Sequence, residues 1–189
     1  MALAQALTLD RQQAHRLPAA LNAHAELAGW PYRCDPSREF DGPELQALCA
    51  LWHAKASGGV PPRAAFDLRA LQPFVRNVFM LERIGQKGVW RYRFRLFGSG
   101  LTQLFGEHTG RWLDETVSPA LLQNWLACFD TTIRYGTPLR FINYYRTQTH
   151  DFLKGEFFAA PLAEDVPDQP IVLAATYVGH KDAAHSPLD

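Results

Sequence analysis

Two groups of residues in this chain of 189 residues have the types and spacing to carry chemistry. In the first, Trp90, Tyr92, Phe94 and Leu96 alternate with Arg91, Arg93 and Arg95. A period of two places rings on one face of a strand and guanidiniums on the other. Rings suit an apolar wall, whereas arginine forks suit carboxylates or phosphate. The second group is dispersed: Tyr92, Phe94, Trp125, Phe129, Phe141 and Phe157, with Asn143, Tyr145 and His108 as polar anchors. A small-molecule pocket needs apolar walls and a few polar groups of this kind. A solid aromatic core uses the same residue types, so both readings stand at this point.

Catalytic and metal chemistry find little footing. The seven histidines (His15, His24, His53, His108, His150, His180 and His185) form no HxH, HxxxH or HExxH spacing. The three cysteines, Cys34, Cys49 and Cys128, form no CxxC pair. An odd number without paired spacing disfavours a disulfide framework or a zinc knuckle and fits reduced thiols. GxSxG, Walker, GxGxxG, kinase and zinc-protease signatures are all missing. Glu107-His108 and Asp114-Glu115 are tight acid/base clusters, and turn or cap roles are commoner for such residues. No enzymatic activity is expected.

Composition bounds the rest. Hydrophobic residues make up 47% of the chain, aromatic 12% and charged 20%, with 19 basic and 19 acidic side chains. Zero net charge gives no general drive toward nucleic acid. The longest apolar stretch, Phe157–Ala163, is broken by a proline and falls far short of the ~20 residues that span a bilayer. Met1–Leu9 is apolar but has no basic start, so a secretory signal is not expected and a cytoplasmic location is. Charge is uneven along the chain. Eight basic residues face two acids between Arg63 and Arg95, whereas six face eleven from Leu96 onward. The two stretches can neutralise each other in the fold or across a dimer, or leave a basic patch for an anionic partner.

The elements that must position these residues follow from periodicity. Asp41-Gly42-Pro43-Glu44 starts a helix over about 44–57, with Leu45, Leu48, Cys49 and Trp52 as its apolar stripe. Asp67 can cap a short turn. Phe74–Ile84 and the alternating run after the turn Gly85–Gly88 form a hairpin. A very short helix ends at Gly106. Ser118-Pro119 then opens a long helix with the stripe Leu122, Trp125, Leu126, Phe129 and Ile133, closed by Gly136. Strands follow at Leu139–Thr147, Phe152–Leu162 and Pro170–Gly179. Short loops between neighbouring strands require antiparallel pairing. The expected fold is α+β: a five-stranded antiparallel sheet with helices covering one face. The expected division is a partly helical or disordered extension over 1–43, a domain over 44–179 and a disordered tail over 180–189.

At this point the chain resembles a PAS domain, most closely the compact bacterial group that occurs as stand-alone proteins. The resemblance is carried by Leu51-Trp52, Val60–Asp67, Arg91–Leu101 and Phe105–Arg111, and extends over about 44–179. Leu68 departs from the pattern, since this group commonly has proline after the aspartate. The resemblance implies a cavity between the sheet and the connecting helices. It also implies a sensory or protein-binding role, commonly with a dimer formed through the leading helix. On that basis Tyr92, Phe94, His108, Trp125, Phe129, Phe141, Asn143 and Phe157 are ligand-binding candidates. Leu48, Trp52, Arg91, Arg93 and Arg95 are interface candidates. The cofactor is unknown. Flavin is disfavoured because no Asn-Cys-Arg-Phe run occurs. Haem is disfavoured because residues 119–135 contain no histidine, although His108 lies in the preceding connector. Cys128 reads as an inert buried thiol beside the stripe.

The expected function is a non-catalytic sensor or adaptor in bacterial signal transduction, binding a small molecule, a protein partner or a second copy of itself, without nucleic acid or membrane. Two alternatives stand beside it. One is a small α+β cone-type enzyme acting on an apolar substrate, marked by a buried histidine–carboxylate pair. The other is an interaction module with a solid, ligand-free core.

Overall fold

The computed structural model describes residues 14–86, 89–146, 152–163 and 169–180. The helices are α1 (Leu17–Leu27), α2 (Pro43–Lys55), α3 (Leu68–Leu71), α4 (Ser99–Phe105) and α5 (Pro119–Tyr135). The strands are β1 (Tyr32–Asp35), β2 (Val78–Gln86), β3 (Val89–Phe97), β4 (Leu139–Arg146), β5 (Phe152–Leu162) and β6 (Ile171–His180). They form one sheet in the order β1-β4-β5-β6-β2-β3, with every neighbouring pair antiparallel.

The sheet has six strands where the sequence suggests five. The additional member, β1, has four residues between Pro31 and Pro36, too short to show a period. It adds to the outer edge of β4, pairing Tyr32 with Asn143 and Cys34 with Phe141. The Asn22 side chain of α1 accepts from Cys34 N–H at 2.7 Å and donates to its carbonyl at 2.9 Å. An amide thus stands where a further strand would pair, which blunts an edge open to association. The hairpin also starts later than its apolar run suggests. Gln72–Phe74 is a 3-10 turn around Pro73, and β2 begins at Val78.

Capping marks the helices that matter most. Ser118 accepts from Leu121 N–H at the start of α5, and Gly136 ends it at φ +78°, where only glycine avoids strain. Asp67 accepts from Ala70 N–H at 2.8 Å. Gly98 is needed for close approach: a Cβ there would lie 2.5 Å from Arg76 O. That approach docks the start of α4 on residue 76.

Each face of the sheet has its own core. One face packs Phe79, Leu81, Tyr92, Phe94, Phe141 and Phe157 beneath α5 and α1. The other packs Val78, Met80, Phe158, Leu162, Ile171 and Leu173 beneath α2. Strand alternation supplies both sets, so neighbours such as Phe157 and Phe158 point opposite ways. Helices therefore cover both faces of this sheet. The alternation read from Trp90 to Leu96 breaks at Arg95. A bulge pairs Leu81 with Phe94 but Met80 with Leu96, leaving Arg95 as the extra residue. Leu96 therefore packs on the α2 side, and Phe97 takes the position under α5.

Candidate functional site

The dispersed aromatic residues converge under α5. Phe157 of β5 lies at their centre, with ring centroids 5.1 Å from Trp125, 5.8 Å from Phe79, 5.8 Å from Phe141 and 6.3 Å from Phe129. Trp125 stacks on Phe129 at 5.6 Å, and Tyr92 meets Phe129 at 5.5 Å. Phe94 joins through Phe79 at 5.9 Å. These separations are those of favourable aromatic pairs. Phe79 and Phe97 complete the layer, although the sequence gives no reason to separate them from other core phenylalanines.

Polar groups sit at two ends of this layer. At the β3 end, His108 lies against Phe97 at 4.8 Å and Phe94 at 5.7 Å, and its buried Nδ1 has no hydrogen-bond partner. At the β1 end, Tyr32 packs edge-on against Phe141 at 6.0 Å and stands in register beside Asn143. The next register position on β5 is Gly155, which places no side chain there. Asn124 and Cys128 of α5 are both buried, and Cys128 neighbours Tyr32. The side chain of Tyr145 lies outside the described residues.

Electrostatics keep this region neutral. Burial pushes the Tyr32 phenol and the Cys128 thiol well above their ordinary ranges. Burial also takes the Cys34 thiol up to about 12. The Tyr92 hydroxyl donates to Asp130 Oδ1 at 2.5 Å, with Arg83 3.5 Å from the same carboxylate. Burial and the Asp130 charge raise that phenol, while Arg83 opposes them. Neutral thiols and phenols are poor nucleophiles at neutral pH.

The arginines of β3 remain at the surface on the other face. Arg93 and Arg95 both pair with Glu82, which is itself buried. Arg91 grips Asp114 with two bonds of 2.9 and 3.0 Å and lies 4.1 Å over the Trp112 ring. That hold keeps the Asp114 carboxyl below its usual range. The carboxylates of the two acid/base clusters are engaged in contacts of this kind. Asp114 anchors Arg91, and Glu107 accepts from Thr109 N–H at 2.7 Å. Hydrogen bonds from the Thr109 side chain and backbone lower the Glu107 pKa. Glu156 holds Arg140 and none of these arginines among the contacts described.

Leu48 and Trp52 point inward, at 0% and 2% exposure, onto the chain's own sheet. Trp52 Nε1 donates to Pro161 O at 2.9 Å. Both side chains are consumed by contact within one chain, because the α2 stripe matches the apolar face of β5 and β6. An aspartate at either position would put a charge into the core and report on folding instead of association.

Among the described residues no group of three or more metal-binding side chains occurs, and no helix is long and apolar enough to cross a membrane.

A family model described as PAS domain matches residues 41–176, and this chain belongs to that family. Its fold is that of a PAS sensor-type domain. The match starts after α1 and β1, which therefore lie ahead of the family's segment. No curated protein matches. Nine chains of solved structures match. Among them is the structure of an RNA-binding light-oxygen-voltage receptor, at 12% identity and a TM-score of 0.34. The match covers 92% of this chain and 60% of that one, so the chain spans less than two thirds of that structure's length.

Proposed function

We propose that this chain is a non-catalytic PAS sensor whose aromatic layer under α5 receives a small, mainly apolar molecule and changes its hold on a protein partner in response. The observation that carries this reading is the continuous set of rings from Tyr92 to Phe141, bounded at both ends by buried polar atoms. A core needing only stability would dispense with those polar atoms, because each unmade bond costs about 1–3 kcal/mol. A ligand acts by binding two states unequally. Strand β5 offers the route, since Phe157 belongs to the ring layer while Glu156 on the opposite face holds the segment leading into α2. The partner surface in this reading is the ribbon of Arg91, Arg93 and Arg95, where a partner's carboxylates would compete with Glu82 and Asp114. Residues 44–179 form the sensing unit, acting in the bacterial cytoplasm as a homodimer or beside another protein. The surroundings of His108 speak against the cone-type enzyme, for its neighbours are phenylalanine rings.

Native mass spectrometry of the intact chain, purified without refolding, tests this. The expected result is an added small-molecule mass that leaves on denaturation. A bare polypeptide mass, with no thermal shift across a panel of small aromatic compounds, would overturn the reading in favour of a solid interaction module.

A further inference from the structure

Helix α1 and strand β1 form one packed unit. The Asn22 side chain makes both hydrogen bonds to the Cys34 backbone, Trp30 stacks on Tyr32 at 5.7 Å, and His24 meets Trp30 edge-on at 4.8 Å. This unit docks on β4 and α5. Tyr32–Asp35 pairs with Arg140–Asn143, the Tyr32 ring meets Phe141, and His15 meets Tyr135 at 6.4 Å. Pro36–Glu39, exposed at every residue, joins the unit to α2. Immediately beyond, the chain is fixed: Phe40 is buried against Phe158, and Glu156 accepts from the Asp41 and Gly42 N–H groups. Between these two held segments Arg38 has a φ of +62°, the one non-glycine residue with positive φ among the described residues. That left-handed conformation is costly for a residue with a Cβ. The Arg38 guanidinium meets His53 of α2 at 3.2 Å on the exposed surface.

We infer that this unit is exchanged between two copies of the chain, so that β1 of each copy pairs with β4 of the other and Pro36–Glu39 is the hinge. The contacts of Arg140 are divided in the way such an exchange needs. Asp35 travels with the unit, whereas Glu156 and Asp41 stay and keep the guanidinium paired when β1 leaves. Departure uncovers the β4 edge and Phe141. The segment that carries the matching register, ring and carboxylate is the β1 of a second copy. Every docking contact is remade in the exchanged dimer, so the hinge sets the balance. Opened, its four residues reach at most about 14 Å, and Arg38 leaves its left-handed conformation. Short connectors under strain invite exchange for this reason. Association entropy opposes it, which makes the dimer fraction rise with concentration. The segment matched by the family begins at residue 41, so the exchanged unit and its hinge lie ahead of it. The inference is independent of what the ring layer receives.

Arg33→Cys and Ile142→Cys, at register partners on β1 and β4, report the exchange when introduced together in the full chain. Oxidation with diamide joins the two thiols within one chain in the closed form and between chains in the exchanged form. A denaturing gel without reductant tells these apart, with the parent chain and its buried cysteines as control. The hinge is then varied by Arg38→Gly and Arg38→Pro. Glycine accepts a positive φ and favours closure, whereas proline forbids it and opens the hinge. Both lose the His53 contact, so their difference isolates the backbone. With the native hinge, the interchain product is expected to rise with the protein concentration set before oxidation. Arg38→Gly should weaken dimerisation by roughly tenfold, and Arg38→Pro should make the interchain product the main one. An interchain product that stays flat with concentration, or equal dimerisation with arginine and glycine at the hinge, would overturn the exchange, whether or not Arg38→Pro folds by circular dichroism. A folded Arg38→Pro dimer whose bonds lie within each chain would overturn it equally, since another surface then joins the copies.

Discussion

Tyr92 shows how one residue joins the ring layer to the surface. Its ring packs on Phe129 while its hydroxyl reaches Asp130 and, beyond it, Arg83. Tyr92→Phe keeps the ring and leaves a partly exposed carboxylate, so the expected loss is about 1 kcal/mol in urea denaturation. A loss above ~3 kcal/mol would mean the bond does more than this contact explains. Burial raises both this phenol and that of Tyr32. Titration of tyrosine absorbance should therefore leave these two silent until alkaline unfolding, and their ionisation near pH 10 in the folded protein would contradict their burial. Phe157, touching four other rings, should cost about 3–5 kcal/mol when cut to alanine. The burial of Tyr92 and Phe94 is legible in the sequence, because the run around them alternates strictly. The bulge at Arg95 is not, because two-versus-one pairing depends on the partner strand and leaves no mark in the strand's own period.

At the scale of elements, one ionic node fastens α2 to the sheet. Glu156, 2% exposed, accepts from Asp41 N–H at 2.9 Å and Gly42 N–H at 2.8 Å. Arg140 pairs with Glu156, Asp35 and Asp41. The chain from β1 into α2 is thereby tied to β4 and β5. Removing the arginine strands a buried carboxylate, so Arg140→Met should cost about 3–5 kcal/mol. Burial raises the Asp35 pKa, but hydrogen bonds from Ser37 and Arg140 and the arginine's charge bring it below the ordinary value. Its stabilisation is therefore fully present above the unfolded value of about 4 and is lost as pH falls through the lower folded value. Urea midpoints measured from pH 6 down to pH 2 should fall less steeply in Asp35→Asn than in the native chain. Identical slopes would remove Asp35 from the acid response. The helices are readable from their stripes and caps, as Ser118, Asp67 and Gly136 show. The node is not, since Arg140 and Asp35 are 105 positions apart and only the β1–β4 register brings them together.

Across the whole molecule, the sheet is bounded by two unlike helical layers. The α2 layer is closed by apolar contacts and the node. The α5 layer carries rings with polar atoms at its ends. Loss of α1 and β1 would uncover the edge of β4 and the Phe141 side of the ring layer. A chain starting at residue 37 should therefore elute in larger species than the intact protein, and an unchanged elution volume would show that the β1 edge is dispensable. The α+β class and the order of the five main strands along the chain follow from turn residues and periodicity. The sixth strand stays hidden because four residues between prolines look like any connector. The rings' convergence is legible only as a set of residues, because it needs strand register and helix rotation together. The account's central claim is that the layer under α5 is where a small molecule is received. Intermolecular nuclear Overhauser contacts from bound anisole test it most directly. The account predicts contacts to the rings of Trp125, Phe141 and Phe157, and contacts confined to surface residues such as Leu104 and Phe105 would contradict it.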